Sequence, residues 1–157
     1  MKTKKLLSTC IVAFFLSNIV YSQGQDNLGS AEQEIRNCLL AIRQSAEKLD
    51  AASLFSLVLE NNKGAFVEDG QILQTRTQAL NYTKQRFQRV KEIRYEVSKE
   101  HITMLSDDLA LVVSDGKSHC ELQDGRIFDS RFVQSVILKC VEGEWKILHA
   151  HSSIPPK

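Results

Sequence analysis

Between residues 31 and 49 the apolar positions Ile35, Cys38, Leu39, Ile42, Ala46 and Leu49 return every three or four residues, with charges between them. That period lays one apolar stripe along an amphipathic helix. Asp50 is positioned to cap a second, shorter helix carrying Leu54, Phe55, Leu57 and Val58, and Asn61-Asn62-Lys63-Gly64 ends it. The run AFVEDGQIL holds two short apolar stretches around Asp69-Gly70, a tight-hairpin signal. Residues 77–90 return to the helical period, with Leu80, Thr83, Phe87 and Val90 inward. Beyond them the period changes to two and predicts four strands, 93–104, 109–121, 126–141 and 145–152. Turns separate them at Ser106-Asp107-Asp108, Asp124-Gly125 and Glu142-Gly143. Helices first and strands afterwards imply an α+β domain.

Turn lengths give an expected register. A symmetric hairpin about Gly143 sets His149 opposite Ile137 and His151 opposite Ser135. Closure at Asp124-Gly125 sets Ile137 opposite Val112 and Val136 opposite Val113. One face then carries Trp145, Ile147, His149 and His151 beside Lys139, Ile137, Ser135 and Arg131. The other carries Leu148 and Ala150 beside Leu138, Val136, Gln134 and Phe132, then Leu109, Leu111, Val113 and Asp115. The second face is the more apolar, so the helices are expected to cover it and the histidine face to stay open. A bulge would reverse part of this assignment. Cys120 and Cys140 fall at different ends of the sheet, too far apart for the roughly 7 Å between Cα atoms that a disulfide tolerates.

The N-terminus changes the picture of the compartment. Lys2, Lys4 and Lys5 precede an apolar stretch over residues 6–20, and Val20-Tyr21-Ser22 offers a small-residue cleavage site. That is the anatomy of a bacterial secretory signal peptide over residues 1–22, implying a periplasmic or secreted protein. The stretch is interrupted by Ser8, Thr9, Ser17 and Asn18, and is short for a membrane span of about 20 residues. Cys10 stands at the start of the apolar stretch rather than its end, which argues against a lipoprotein. Residues 23–30 read as a flexible lead-in, 31–153 as the domain, and 154–157, with Pro155-Pro156, as a tail. Removing 22 of 157 residues leaves 135, one domain of ordinary size. It also takes three lysines and no acids from a chain of formal charge +1, leaving −2. A near-neutral chain without a basic stripe has no electrostatic footprint for nucleic acid, and the basic residues Lys84, Arg86, Arg89, Lys91 and Arg94 read as a solvated surface. No membrane partner is expected after cleavage.

The helix LDAASLFSLV, the EDGQIL hairpin, a third helix and the ending GEWKILHAHSS together resemble the nuclear transport factor 2-like superfamily. Within it the nearest likeness is to SnoaL-like domains of unknown function, with a more distant look of the calcium/calmodulin-dependent kinase association domain. Gly143, Trp145, His149, His151 and Ser152 carry the specific part of the signature. The resemblance implies a cone: a curved antiparallel sheet of four long strands plus a short hairpin, covered on one face by three helices. It also implies a pocket between helices and sheet, and a homodimer formed through the open sheet face, here Trp145, Ile147, His149 and His151. Superfamily enzymes include isomerases, cyclases, dehydratases and epoxide hydrolases, but fold does not give function. The kinase association domain projects arginines into its pocket from positions that fall here near Val113 and Val136, so that anion chemistry is not expected to carry over.

Candidate chemistry is sparse. His149 and His151 alternate on a strand about 7 Å apart, a spacing that can chelate zinc with His101 as a third ligand. No carboxylate or cysteine completes that set at a predictable spacing, so packing in a subunit interface is the preferred reading and neither metal nor cofactor is expected. No GxSxG, CxxC or glycine-rich phosphate loop is present. The expected pocket is lined by Phe55, Tyr82, Phe87, Leu111, Val113, Gln134 and Val136, and suits a small apolar or amphipathic ligand. The alternatives are an isomerase or hydro-lyase using a carboxylate, Asp115 or Glu100, as general acid or base, and a structural or partner-binding module with a filled cone.

Overall fold

The computed structural model describes residues 13–60, 64–68 and 70–153, with side chains from residue 29 onward. It divides into two units, residues 1–34 and 35–157. Helix α1 (Ala13–Glu47) begins in the first and ends in the second. It starts earlier than the apolar stripe predicts. The rest of the second unit comprises α2 (Ala51–Ser56), β1 (Phe66–Glu68), β2 (Gln71–Leu73), α3 (Arg76–Phe87), β3 (Val90–Ser106), β4 (Leu109–Leu122), β5 (Ile127–Val141) and β6 (Glu144–Ser153).

Local chemistry sets the helix starts. Asp50 Oδ1 accepts from the Ser53 backbone N–H at 3.0 Å and caps α2. Thr75 and Gln78 form a reciprocal capping box at the start of α3. Val90, read from sequence as the last inward residue of this helix, instead opens β3 and is buried in the core.

The sheet is curved and unclosed, in the order β2-β1-β6-β5-β4-β3. It is mixed: β1 runs parallel to β6, pairing Phe66 with Ala150 and Val67 with His151, and the other adjacent strands are antiparallel. Its inner face carries Ala110, Val112, Phe132, Val136, Leu138, Trp145 and Ile147, all buried with Ile35, Cys38 and Leu39 of α1, Phe55 of α2 and Ala79 of α3. Burying these apolar surfaces supplies the main stabilising term. Polar ties fix the helices to the sheet. Cys38 Sγ donates to the Trp145 carbonyl at 3.1 Å, and Glu47 Oε1 accepts from the Tyr95 backbone N–H at 2.9 Å. Arg76 of α3 donates to the Phe55 carbonyl and so ties α3 to α2.

Two turns correct the expected faces. Between β4 and β5 the chain uses a three-residue loop, Gln123-Asp124-Gly125, with Gly125 at φ 84°. The extra loop residue shifts the pairing by one, so Val112, not Val113, stands opposite Val136. Leu111, Val113 and Asp115 therefore turn to the outer face, where Val113 is 38% exposed. Between β5 and β6 the loop is two residues, Glu142 and Gly143, at φ 54° and 81°, the left-handed pair of a type I′ turn. That pairs Trp145 with Cys140 and Ile147 with Leu138, placing both on the inner face at 6% and 4% exposure rather than on an open one. A bulge at Leu148 then restores the expected phase, with His149 opposite Ile137 and His151 opposite Ser135. The bulge lies where Ile147 is pinned from both sides: Ile147 N–H donates to the Leu57 carbonyl, and its own carbonyl accepts from the Leu59 N–H, each at 2.8 Å.

Candidate functional site

Four adjacent cross-strand rows of the inner face frame the candidate site. Ile102, Val112, Val136 and Ala150 form an apolar row, continued by Phe66 on β1. The next row is polar throughout: Glu100, Ser114, Gln134 and Ser152. Val97, Gly116 and Phe132 follow, then Tyr95, Ser118 and Ser130. In the polar row Gln134 Nε2 donates to Ser114 Oγ at 3.0 Å, and Glu100 Oε1 accepts from Arg36 Nη1 of α1 at 3.0 Å. Ser114 is 3% exposed.

Between the polar row and the Tyr95 row, β3 bulges at Ser98 beside Gly116. A Cβ on Gly116 would lie 2.2 Å from the Glu96 carbonyl oxygen and 2.8 Å from the Phe132 ring, so the close approach requires glycine. Phe132 meets the Tyr95 ring edge-on, with centroids 6.0 Å apart. Burial pushes the Tyr95 phenol up to about 12; the Glu68 carboxylate adds to the rise and the Arg86 guanidinium opposes it. Arg86 is ion-paired with Glu68, and its guanidinium lies 5.6 Å from the centre of the Tyr82 ring. The inner face thus offers hydroxyl, amide and paired-charge groups within an apolar frame.

The sequence-derived site residues divide between faces. Gln134, Val136 and Glu100 are on the inner face; Phe55 is buried in the core, its ring 5.6 Å from that of Phe66. Tyr82 and Phe87 are half-buried on α3. Leu111, Val113 and Asp115 are on the outer face and so cannot line the interior. Asp115 Oδ1 is buried there with no hydrogen-bond partner among the described residues. His149 and His151 share the outer face with Ile137 and Ser135. His149 Nδ1 donates to the Gly64 carbonyl at 2.7 Å, since a carbonyl can only accept. His101 pairs with Val113, so Val113 and Ser135 separate it from His151. At about 4.8 Å per strand that is too far for a shared ion. No group of three His, Cys, Asp or Glu among the described residues could hold a metal ion. Cys38, Cys120 and Cys140 are free thiols; burial raises the Cys38 thiol to about 11, which leaves it unreactive.

Sequence reasoning missed Tyr95, Ser114, Arg36 and the Arg86–Glu68 pair. The alternation Ile93, Tyr95, Val97 does signal that Tyr95 faces inward. Nothing in the sequence signals that β3 reverses its phase afterwards to bring Glu100 to the same face.

Comparisons with known proteins follow this geometry. Among solved structures, a nuclear transport factor 2-like superfamily protein from Salmonella enterica superposes with a TM-score of 0.75 at 17% identity, over 83% of this chain and 94% of that one. A candidate dehydratase of the same family from Streptomyces avermitilis gives 0.73 at 18% identity, over 82% and 99%. A hexachlorocyclohexane dehydrochlorinase gives 0.73 at 12% identity, over 84% and 90%. At these identities the likeness is one of fold. No curated protein matches the sequence. The model of the SnoaL-like domain matches residues 35–157, which include every element of the second unit, and the chain therefore belongs to the SnoaL-like domain family, with the nuclear transport factor 2-like fold.

Proposed function

We propose that this chain is an exported, dimeric module that binds a small amphipathic molecule between its helices and the inner face of its sheet. The observation that carries the reading is the polar row Glu100, Ser114, Gln134 and Ser152, set between the apolar row of Val112 and Val136 and that of Val97 and Phe132. Burying polar groups is unfavourable unless they find partners, so a core built only for packing would fill that row with apolar side chains. A ligand with an apolar body and one polar group would match both parts of the face. The test is titration of the purified protein with the fluorescent apolar probe anilinonaphthalene sulfonate, before and after Ser114→Leu, which fills the row. Saturable binding near one probe per chain, weakened by the substitution in a protein that still melts cooperatively, is the expected result. Unsaturable binding, or binding indifferent to Ser114→Leu, would favour the filled, purely structural cone.

A second reading is elimination of water by a base in the same interior. Glu100 supports it as the inward-facing carboxylate of that row, although its ion pair with Arg36 already engages one oxygen. A candidate dehydratase and a dehydrochlorinase among the fold relatives are both named for eliminations. Glu100→Gln would abolish such an activity in a protein that still melts cooperatively.

Export rests on residues 1–22, of which 1–12 lie outside the described residues. N-terminal sequencing of protein recovered from the periplasm or medium should begin at Gln23. Among the described residues no helix is long and apolar enough to cross a membrane.

A further inference from the structure

The outer face of the sheet carries a concavity, on the side opposite the interior. It is a groove of about 610 Å³ lined by residues 94–96 of β3, 117–119 of β4 and 129–131 of β5. Two cross-strand rows bound it: Arg94, His119 and Asp129 on one side, Glu96, Lys117 and Arg131 on the other, with Tyr95, Ser118 and Ser130 between. It lies beyond the last pairing of β6, Ser153 with Val133, on the part of the sheet formed by β3, β4 and β5 alone. The first row is already paired. His119 Nδ1 donates to Asp129 Oδ1 at 2.8 Å, and Arg94 Nε is 2.9 Å from Glu92 Oε1.

The second row is not. Lys117 and Arg131 are direct cross-strand partners, and no carboxylate of the described residues lies within ion-pairing distance of either. Glu96, opposite Lys117 on the other side, makes no ion pair with it. Like charges set directly opposite in an antiparallel pair are destabilising, and this pair stands in a groove of the size that takes a small molecule. We infer that the groove is an oxyanion site: Lys117 and Arg131 together bind the phosphate or carboxylate groups of a small anion. A guanidinium fork beside an ammonium is well matched to such groups, and the anion would relieve the repulsion between them.

The experiment is a thermal-melt titration of the whole protein with inorganic phosphate and, separately, citrate, each against sodium chloride of matched ionic strength. Lys117→Gln and Arg131→Gln are run beside the unaltered chain. In the unaltered chain one or both oxyanions should raise the Tm above the chloride control, saturably. In each variant the Tm without oxyanion should be unchanged or higher, and the increment should shrink, with apparent affinity about tenfold weaker for one lost charge contact. A response to phosphate alone would mark a phosphate site, and a response to citrate alone a carboxylate site. Equal melting in oxyanion and chloride, or an increment that survives in both variants, would overturn the inference. Should one variant fail to fold, the other decides. Neither outcome bears on the interior, which lies on the opposite face.

Discussion

Ser114 and Gln134 show how much the interior depends on single polar contacts. Gln134→Leu removes the donor and strands the Ser114 hydroxyl at 3% exposure, an expected loss of about 1–3 kcal/mol. Adding Ser114→Ala to that variant should return part of the loss, so the double variant unfolds at higher denaturant than Gln134→Leu alone. Simple additivity of the two changes would count against the bond. Tyr95 gives a pH signature. Its folded value of about 12 lies above the ordinary 10.0, so the fold favours the neutral phenol. That contribution is complete below pH 10.0 and is lost as the pH rises from there through about 12. Alkaline titration by ultraviolet absorbance should show a step near 12 that Tyr95→Phe removes. If Tyr95→Phe instead removed a step at the ordinary value, the ring would not be buried in solution. Tyr95 was legible in sequence only as one apolar beat in a strand. Its partners Phe132, Glu68 and Arg86 lie on three other elements and leave no local trace.

At the scale of elements, alternation along each strand was readable and its phase was not. Val113 and Val136 are both apolar at alternating positions, but one extra loop residue at Gln123-Asp124-Gly125 sends them to opposite faces. Trp145 and Ile147 share their alternation with His149 and His151 in the sequence, and a bulge at Leu148 puts the two pairs on different faces. A side-chain period of two makes every such miscount reverse a whole segment. The bulge of β3 beside Gly116 is the most exposed to test. Gly116→Ala places a Cβ against the Glu96 carbonyl, backbone that cannot rotate away, and should lower stability by about 1–3 kcal/mol in denaturant unfolding. An unchanged midpoint would show that β3 can shift without penalty. Helix starts were more legible, because Asp50 reaches a donor three residues away and needs no tertiary partner.

For the whole molecule, the outer face is where assembly would be decided. Val113 and Val133 stand 38% and 50% exposed there, near His151 and the unpartnered Asp115 Oδ1. A two-fold interface repeats each residue, so Val133→Asp would bring two new carboxylates into one buried patch. Native mass spectrometry should find the unaltered chain dimeric and this variant monomeric; a dimer that tolerates the substitution would place the interface elsewhere. The α+β class and the element order follow from the sequence alone, because helical and strand periods are properties of local spacing. The likeness to the nuclear transport factor 2-like fold follows from motifs that survive in the chain as written. What lines the interior was decided only in three dimensions. Loop length, two bulges and the parallel addition of β1 to β6 set which side of the sheet each residue meets, and those depend on neighbours distant in the chain.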